Sequence, residues 1–160
     1  MIRPATISDT EAVLALNNAA LPAVTITSQA EIKWFLEQAT LFWVLEHADR
    51  IVGFLIVLGP GITYDSDNYR FFSSQYGAFD YVDRIVIKDS ERGKGYGVDL
   101  YRKLFAEAHS PVVTCEVNLD PPNPHSYYFH EKLGFQEVGR HVTQPDAKLV
   151  SLMARSISKD

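Results

Sequence analysis

The stretch YVDRIVIKDSERGKGYGVDLYRKLF, residues 81–105, passes from a strand pattern through a glycine-rich turn into a helical pattern. Its opening, residues 81–88, is β-branched and almost continuously apolar toward its end, which is typical of a strand at the centre of a sheet. Three glycines then follow at alternate positions with two cations among them; these residues are Arg92, Gly93, Lys94, Gly95 and Gly97. A strand, a glycine turn and a helix in this order direct unpaired backbone N–H groups and the positive helix end toward one spot. The stretch therefore predicts an anion site, since a tight turn, the alternative interpretation, would need only one glycine.

Two familiar phosphate-binding motifs do not fit the glycine stretch. A Walker loop would place Ser or Thr after a Gly-Lys pair, and here Lys94 is followed by Gly95. A dinucleotide-binding fingerprint would place its third glycine where Val98 stands. A nucleotide-phosphate binder of another fold is therefore disfavoured.

Periodic apolar patterns predict helices and strands along the chain. The strands are predicted at residues 1–6, 41–47, 51–59, 81–88, 112–118, 135–142 and 148–156. The helices are predicted at residues 8–20, 28–39, 95–109 and 124–134. Ser8 or Asp9 is the predicted N-cap of the first helix, and Ser28 with Glu31 has the spacing of a capping box before the second. No repeat, linker or low-complexity segment interrupts this order, so residues 1–160 are predicted to form one α/β domain.

Residues 59–80, GPGITYDSDNYRFFSSQYGAFD, have the Gly, Pro, Ser, Asp and Asn content of a loop. Aromatic residues crowd this segment: Tyr64, Tyr69, Phe71, Phe72, Tyr76 and Phe79. So many aromatic side chains argue against disorder, and long loops within compact domains are commonly functional. The segment is therefore predicted to be an ordered functional loop.

Composition narrows the class of protein. The 160 residues carry a formal net charge of -5 and a sequence pI near 5.5, so no nucleic-acid partner is expected. The N-terminus lacks the pattern of a signal peptide and the longest apolar run is strand-sized, so we expect a cytoplasmic protein that does not engage a membrane.

Cys115, the only cysteine, is expected in the core. The histidines lack metal-ligand spacing, so no metal is predicted.

Three segments resemble the GNAT superfamily of acyl-CoA-dependent N-acyltransferases. RGKGYG, residues 92–97, is similar to the family's Arg/Gln-x-x-Gly-x-Gly/Ala signature. IRPATISDTEAV, residues 2–13, is similar to its opening, and NPHSYYFHEKLGF, residues 123–135, is similar to its Asn-x-x-Ala…Tyr-x-x-x-Gly-Phe segment. The resemblance extends over essentially the whole chain. It implies an α/β (α+β) fold with a mixed, mostly antiparallel sheet of about seven strands flanked by about four helices.

The resemblance implies a binding site for acetyl-CoA as cosubstrate. Family members present strand backbone to the pantetheine arm, and the matching positions here are Ile85, Val86 and Ile87. The positions that match the family's pyrophosphate contacts are Arg92, Gly93, Lys94, Gly95, Tyr96 and Gly97. Asn123 matches a family asparagine that contacts the cofactor, although a helix cap beside Pro124 would explain it equally well. Asn118 is a further candidate contact, or it satisfies the end of a strand.

The implied reaction is attack of an amine on the thioester, for which an alkyl ammonium with a pKa near 10.4 must first lose a proton. The family's tyrosine acid, which protonates the departing thiolate, falls at His130; histidine can fill this role or only pack. Asp83 is the first candidate base, because an acidic residue in an apolar central strand is costly unless paired or used. An ion pair with Arg84 is expected only if a bulge intervenes, since adjacent strand residues face opposite ways. Glu116, on the neighbouring strand, is the second candidate base.

The acceptor site is predicted to include Tyr64, Tyr69, Phe72, Tyr81 and Arg84. The aromatic side chains would line a pocket and Arg84 would hold an acceptor carboxylate, whereas packing onto the sheet or a homodimer contact is the alternative. We therefore expect an enzyme, an acetyl-CoA-dependent N-acetyltransferase acting on a small-molecule or peptide amine. A non-catalytic acyl-CoA-binding or sensing module is the competing hypothesis, because it would keep the glycine stretch without an acid or a base.

Overall fold

A computed structural model of the protein describes residues 1–157. The strands within these residues are β1 (Ile2–Pro4), β2 (Leu41–His47), β3 (Arg50–Leu58), β4 (Asp80–Ile87), β5 (Val112–Asp120), β6 (Gln136–Val142) and β7 (Leu149–Ser156). The α-helices are α1 (Thr10–Ala19), α2 (Gln29–Gln38), α3 (Asp67–Gln75), α4 (Tyr96–Glu107) and α5 (Pro124–Lys132). Single turns of 3-10 helix lie at Ile7–Asp9 and Asp89–Glu91. No helix in this part of the chain is long and apolar enough to cross a membrane.

The chain forms two compact units, and the first contains Met1–Leu58 and Val82–Glu107. In this unit β1 is antiparallel to β2, and β2 is antiparallel to β3. The Lys88 N–H donates to the Val52 carbonyl oxygen at 2.8 Å, which joins the end of β4 to β3. α1 lies against α2 and β3. In the first unit, β4, the strand that leads into the glycine stretch, therefore joins the sheet against which α1 packs.

The second unit contains Gly59–Tyr81 and Ala108–Asp160. The start of β4 runs parallel to β5, with Tyr81 opposite Thr114. β5 and β6 are each antiparallel to β7. The residues of β4 are thus divided between the two units, and the strand order is β1-β2-β3-β4-β5-β7-β6. The predicted mixed, mostly antiparallel sheet of seven strands is confirmed.

Helix α3 lies where the sequence predicted a loop, so the described residues contain five α-helices instead of about four. Ser66 caps this helix, because its Oγ accepts a hydrogen bond from the Tyr69 N–H at 3.2 Å. Tyr69 and Phe72, three residues apart, place two buried rings on one helix face. The loop prediction for residues 59–80 is wrong over α3. The helix has only 9 residues, and tertiary contacts set its apolar face.

The helical part of the first unit begins earlier than the sequence indicated. Asp9, one of the two predicted positions, is the N-cap of α1, without a side-chain cap bond. A 3-10 turn capped by Thr6 precedes α1, and the Thr6 N–H donates to Asp9 Oδ2 at 2.8 Å. Ser28 is the N-cap of α2, at the predicted position: its Oγ accepts from the Glu31 N–H at 3.2 Å and donates to Glu31 Oε1 at 3.2 Å. The beginnings of the 3-10 turn and of α2 are therefore fixed by local side-chain bonds.

The core of the second unit contains an aromatic cluster of four residues: Tyr69, Phe72, Phe79 and Tyr81. The ring centroid of Tyr69 lies 5.5 Å from that of Phe79 and 6.0 Å from that of Tyr81. Phe72 and Tyr81 lie 5.6 Å apart. The Tyr69 hydroxyl donates to the Gly59 carbonyl oxygen at 2.7 Å. All four side chains are buried, so the cluster holds α3 against the strands of its unit.

Replacing Phe72 with alanine is expected to lower the free energy of unfolding by about 3–5 kcal/mol, because the ring is fully buried and its loss leaves a cavity. Guanidinium unfolding followed by circular dichroism measures the change. Tyr128→Ala is the control, since this ring is 60% exposed and its loss should change stability by less than about 0.5 kcal/mol. A loss below about 1 kcal/mol in Phe72→Ala would contradict the packing role.

Candidate active site

The glycine stretch forms an open loop that leads into α4. Gly93 and Gly95 have φ angles of 78° and 85°, a left-handed conformation that favours glycine. No described atom lies within 4 Å of the position a Cβ would take at either residue, so packing does not explain these glycines. α4 begins at Tyr96, and the first N–H groups of a helix have no acceptor within it. The loop therefore offers accessible backbone and a positive helix end to an anion.

The two cations of the glycine stretch are paired with acidic residues of the same loop. Lys94 Nζ lies 2.7 Å from Glu91 Oε2, and Arg92 Nε lies 3.2 Å from Asp89 Oδ1. The hydrogen bond between Lys94 and Glu91 raises the pKa of the lysine and lowers the pKa of the glutamate. These partners were not predicted from the sequence, although their i, i+3 spacing is a signal that indicates them. An arriving anion must therefore compete with Asp89 and Glu91 for both cations.

A cavity of about 290 Å³ lies beside the end of β4 in the first unit. One wall is the chain from Val86 to Ser90, which runs directly into the glycine stretch. Two of the three predicted pantetheine positions, Val86 and Ile87, are in this wall. The end of α1 forms the facing wall with Ala19 and Ala20, which the sequence analysis did not single out. In the sequence, this wall is indicated only by the two small residues, Ala19 and Ala20, at the end of a predicted helix.

Asp83 forms a buried ion pair with Arg84, the next residue of β4. Arg84 Nε lies 3.0 Å from Asp83 Oδ2, and the two side chains are 6% and 5% exposed. From strand alternation, this pair was expected only if a bulge intervened. Strand alternation governs the direction of the Cβ atom, whereas the end of a long arginine side chain can reach its neighbour. The first candidate base is therefore engaged by a cation.

The Arg84 guanidinium has further partners in the first unit. Its Nη1 donates to Asn17 Oδ1 at 2.9 Å and to the Thr25 carbonyl oxygen at 2.7 Å. Its Cζ lies 5.3 Å from the centroid of the Phe35 ring. These contacts tie β4 to α1, to the α1–α2 connection and to α2. They do not support the contact of Arg84 with an acceptor carboxylate, which stays a prediction.

Glu116, the second candidate base, lies on β5 with partial exposure. The Tyr81 hydroxyl donates to Glu116 Oε2 at 2.7 Å, within the second unit. Tyr81 is only 1% exposed, so its ring is packed in the aromatic cluster while its hydroxyl meets the carboxylate. The structure thus joins one predicted acceptor residue to one predicted base.

His130, which stands where the family places tyrosine, is buried in the second unit. Its ring centroid lies 5.3 Å from that of Phe129 and 5.5 Å from that of Phe135. Nδ1 lies 2.8 Å from the Ser126 carbonyl oxygen; because a carbonyl oxygen can only accept, we assign the ring proton to Nδ1. Burial lowers the pKa of His130, which favours the neutral ring. In this tautomer Nε2 carries a lone pair and accepts a proton instead of donating one.

Asn123 caps α5, as one of its two interpretations predicted. Its Oδ1 accepts from the Ser126 N–H at 3.3 Å, and Pro124 occupies the first helical position. The Asn118 carbonyl oxygen accepts from the Asn123 N–H at 3.2 Å, so the two asparagines are joined through the backbone. Contact with a cofactor stays a prediction for both residues.

The remaining predicted residues lie mainly in the interior of the second unit. Tyr64 is partly exposed, and its ring centroid lies 5.7 Å from that of Tyr69. Tyr69 and Phe72 belong to the aromatic cluster, so their direct contact with an acceptor stays a prediction that the packing does not support. Cys115 is buried in β5, as expected. Among residues 1–157, no three His, Cys, Asp or Glu side chains are gathered in a way that would hold a metal ion.

Comparisons with known proteins agree with this geometry. A family comparison matches residues 11–135 to the acetyltransferase (GNAT) family. A search of curated proteins found no match.

Several solved structures share the fold over nearly their whole length. Ard1 from Thermoplasma volcanium is similar at a TM-score of 0.81 and 20% identity, over 99% of this chain and 98% of that chain. The ribosomal-protein-alanine N-acetyltransferase from Brucella melitensis is similar at a TM-score of 0.74 and 23% identity, over 98% and 99%. The yncA protein from Salmonella typhimurium, whose structure contains acetyl-CoA as its cofactor, is similar at 0.73 and 18% identity, over 100% and 95%.

Replacing Glu91 with glutamine is expected to tighten the binding of coenzyme A roughly two- to five-fold, because Lys94 loses the carboxylate that competes with the phosphate groups. Isothermal titration calorimetry measures this affinity. Glu107→Gln is the control: it breaks an exposed 3.2 Å pair with Lys103 on α4 and should leave affinity unchanged. Weaker binding in Glu91→Gln than in the parent protein would show that the glutamate supports the site instead of competing for it.

The buried His130 is expected to destabilise the protein at acidic pH. Its pKa in the folded state is lowered below the ordinary value of 6.5 by burial, so the unfolded chain binds this proton more tightly. The stability linked to this group is therefore present above about pH 6.5 and is lost as the pH falls from there toward the folded pKa.

His130→Gln should accordingly show a smaller decline in melting temperature between about pH 7 and pH 5 than the parent protein. His125→Gln, which changes an exposed histidine of the same helix, should keep the parent's decline. Equal declines in all three proteins would contradict the neutral, buried state of His130.

Proposed function

Because the chain belongs to the GNAT family of acetyltransferases, we propose that it transfers an acetyl group from acetyl-CoA to a primary amine. The observation that carries this proposal is the continuous segment from Val86 to Gly97, in which a cavity wall passes directly into the open glycine loop. The cavity suits the pantetheine arm, and the loop suits the pyrophosphate. The family uses acetyl-CoA, and a similar structure contains it as its cofactor.

The chemistry requires a proton transfer on each side of the acyl transfer. The deprotonated amine nitrogen attacks the thioester carbon and forms a tetrahedral oxyanion, which backbone N–H donors stabilise. The C–N bond forms and leaves the nitrogen positively charged, so the nitrogen releases a proton to a base or to water. The C–S bond then breaks, and coenzyme A leaves as a thiolate that takes up a proton. An alkyl amine with a pKa near 10.4 is mostly ammonium at neutral pH, so a base must first accept its proton.

Glu116 is the proposed base in preference to Asp83. Glu116 is partly exposed and accepts a hydrogen bond from a neutral phenol, so its carboxylate can take up a proton and release it to water. Asp83 is buried against Arg84, and its protonation would leave that guanidinium facing a neutral acid. Losing one partner of a buried charge pair is strongly unfavourable. Asp83 therefore serves structure, while Glu116 serves proton transfer.

A phenol or water is the proposed donor to the departing thiolate. In its neutral Nδ1–H form, His130 has a lone pair on Nε2 and would first need protonation in a buried setting. Tyr127 and Tyr128 on the same helix have phenolic O–H groups, which are hydrogen-bond donors, and Tyr128 is 60% exposed. These phenols and water are therefore the proposed donors.

A small-molecule or peptide amine is the proposed acceptor. The similar structure from Brucella melitensis is named for a ribosomal-protein alanine, so peptide amines belong among the first acceptors to test. A non-catalytic acyl-CoA-binding module is the second candidate function. The histidine at the position of the family's tyrosine favours this candidate, because it removes the usual proton donor.

Thiol release from acetyl-CoA, measured with amines, amino acids and short peptides against a no-acceptor control, tests the proposal. Acceptor-dependent release is the expected result. Binding of acetyl-CoA in calorimetry without release for any acceptor would support the non-catalytic module. Absence of binding would remove both functions.

Glu116→Gln is expected to lower kcat by about 100- to 10,000-fold, because general-base assistance is lost. Asp83→Asn should instead lower the melting temperature, since it leaves the buried Arg84 without a carboxylate. Glu131→Gln, an exposed change on α5, is the control for both measurements. Loss of turnover at unchanged stability in Asp83→Asn, with full activity in Glu116→Gln, would reverse the assignment.

A further inference from the structure

The backbone of the second unit sets the distance between Tyr81 and Glu116. β4 and β5 run parallel, with Tyr81 opposite Thr114. Glu116 lies two residues beyond Thr114, so the side chains of Thr114 and Glu116 project from the same face of β5. The Tyr81 ring spans this offset, and its hydroxyl reaches Glu116 Oε2 at 2.7 Å. The contact therefore follows from the register of two paired strands.

Further contacts keep Tyr81 from moving. The preceding residue, Asp80, accepts hydrogen bonds through Oδ2 from the N–H groups of residues 109 and 110 at 2.8 and 3.0 Å, which holds the start of β4 against the approach to β5. The Tyr81 ring is packed by Tyr69 and Phe72 and is 1% exposed. A ring held on all these sides has one preferred orientation for its hydroxyl oxygen.

We propose that Tyr81 is a positioning residue, whose hydroxyl holds the Glu116 carboxylate in the orientation from which it accepts a proton from the acceptor amine or from an intervening water. This inference rests on the proposed acetyl transfer. The bond fixes Oε2 and thereby the plane of the carboxylate and the direction of Oε1. The phenol keeps its own proton throughout, while the proton of the amine moves to the carboxylate. Tyr81 thus acts through Glu116 and not on the substrate.

The bond also favours the ionised carboxylate, because a donated hydrogen bond stabilises the charged form of its acceptor. The role of Tyr81 in this inference differs from its predicted role as an acceptor contact. Its buried ring explains the difference.

Tyr81→Phe tests the proposal, because it removes one hydroxyl and keeps the packed ring. With the best amine acceptor we expect kcat to fall roughly 10-fold, and the KM for acetyl-CoA to stay within about two-fold. The midpoint of the acidic limb of the pH–rate profile should move up by about half a unit to one unit, since the ionised carboxylate loses a donor.

Thr10→Val is the matched control. The Thr10 hydroxyl is also buried and also makes a 2.7 Å hydrogen bond, to the Ile7 carbonyl oxygen. Its loss should lower the melting temperature and leave kcat and the acidic limb unchanged. Equal falls in kcat in the two variants, or an unmoved acidic limb in Tyr81→Phe, would overturn the proposal.

A double-mutant cycle separates positioning from general packing. In a Glu116→Gln background, Tyr81→Phe should change the remaining turnover by less than about two-fold, because the hydroxyl acts only through that carboxylate. A further large fall would overturn the proposal.

Glu116→Asp carries the same test if Tyr81→Phe does not fold. Aspartate keeps the charge but withdraws the carboxylate from the Tyr81 hydroxyl by one methylene, so kcat should fall. Parent-like turnover in Glu116→Asp would overturn the proposal. Absence of turnover in the parent protein with every acceptor would instead defeat the proposed acetyl transfer and this inference with it.

Discussion

The first unit is organised around a guanidinium that is removed from water. A buried Arg84 is stable only if its charge and its N–H donors are matched, and the partners come from four different parts of the unit. Asp83 supplies the countercharge from β4, Asn17 an oxygen from α1, Thr25 a carbonyl oxygen from the α1–α2 connection, and Phe35 a ring face from α2. Because one rigid, planar group bonds to all of them, the end of α1 has little freedom to shift along β4. That restriction preserves the cavity between these two elements, and with it the candidate cofactor site.

Asp83 and Glu116 meet different donors, and these donors distinguish the roles that we propose for the two carboxylates. Asp83 forms a buried ion pair with the permanently charged Arg84, and protonation of Asp83 would leave the Arg84 guanidinium without this countercharge. Glu116 meets a neutral hydroxyl from Tyr81 and keeps partial contact with water. A carboxylate thus meets a guanidinium in the first environment and a phenolic hydroxyl in the second, and this contrast supports the proposed proton transfer by Glu116. The proposed assignment therefore depends on the identity of the partner more than on the degree of burial.

Features that depend on a few neighbouring residues could be predicted from the sequence. The Ser28 cap and the left-handed glycines at 93 and 95 are properties of a local backbone, and the overall order of strands and helices follows from the same kind of signal. α3 could not be predicted in this way, because 9 residues with scattered aromatic side chains do not show a helical stripe until the sheet selects one face. The bond between Tyr81 and Glu116 joins residues 35 positions apart, and it depends on a strand register that periodicity does not encode. For the same reason the sequence placed both residues at the site without linking them.

The proposed anion site in the glycine loop belongs to an acidic protein, so the net charge of the chain does not attract an anion to it. The whole chain carries a formal net charge of -5, and the loop itself contributes two cations, Arg92 and Lys94, opposed by Asp89 and Glu91. With its own charges balanced, the loop has no long-range attraction for a pyrophosphate. Recognition must then come from contact: from N–H groups at the start of α4, from glycine backbone that a bulky anion can approach, and from cations that exchange a carboxylate for a phosphate oxygen. Such a site discriminates by geometry more than by charge, because an anion that cannot reach the N–H groups gains little by displacing the loop's own carboxylates. The three glycines are therefore as much a part of the proposed specificity as the two cations beside them.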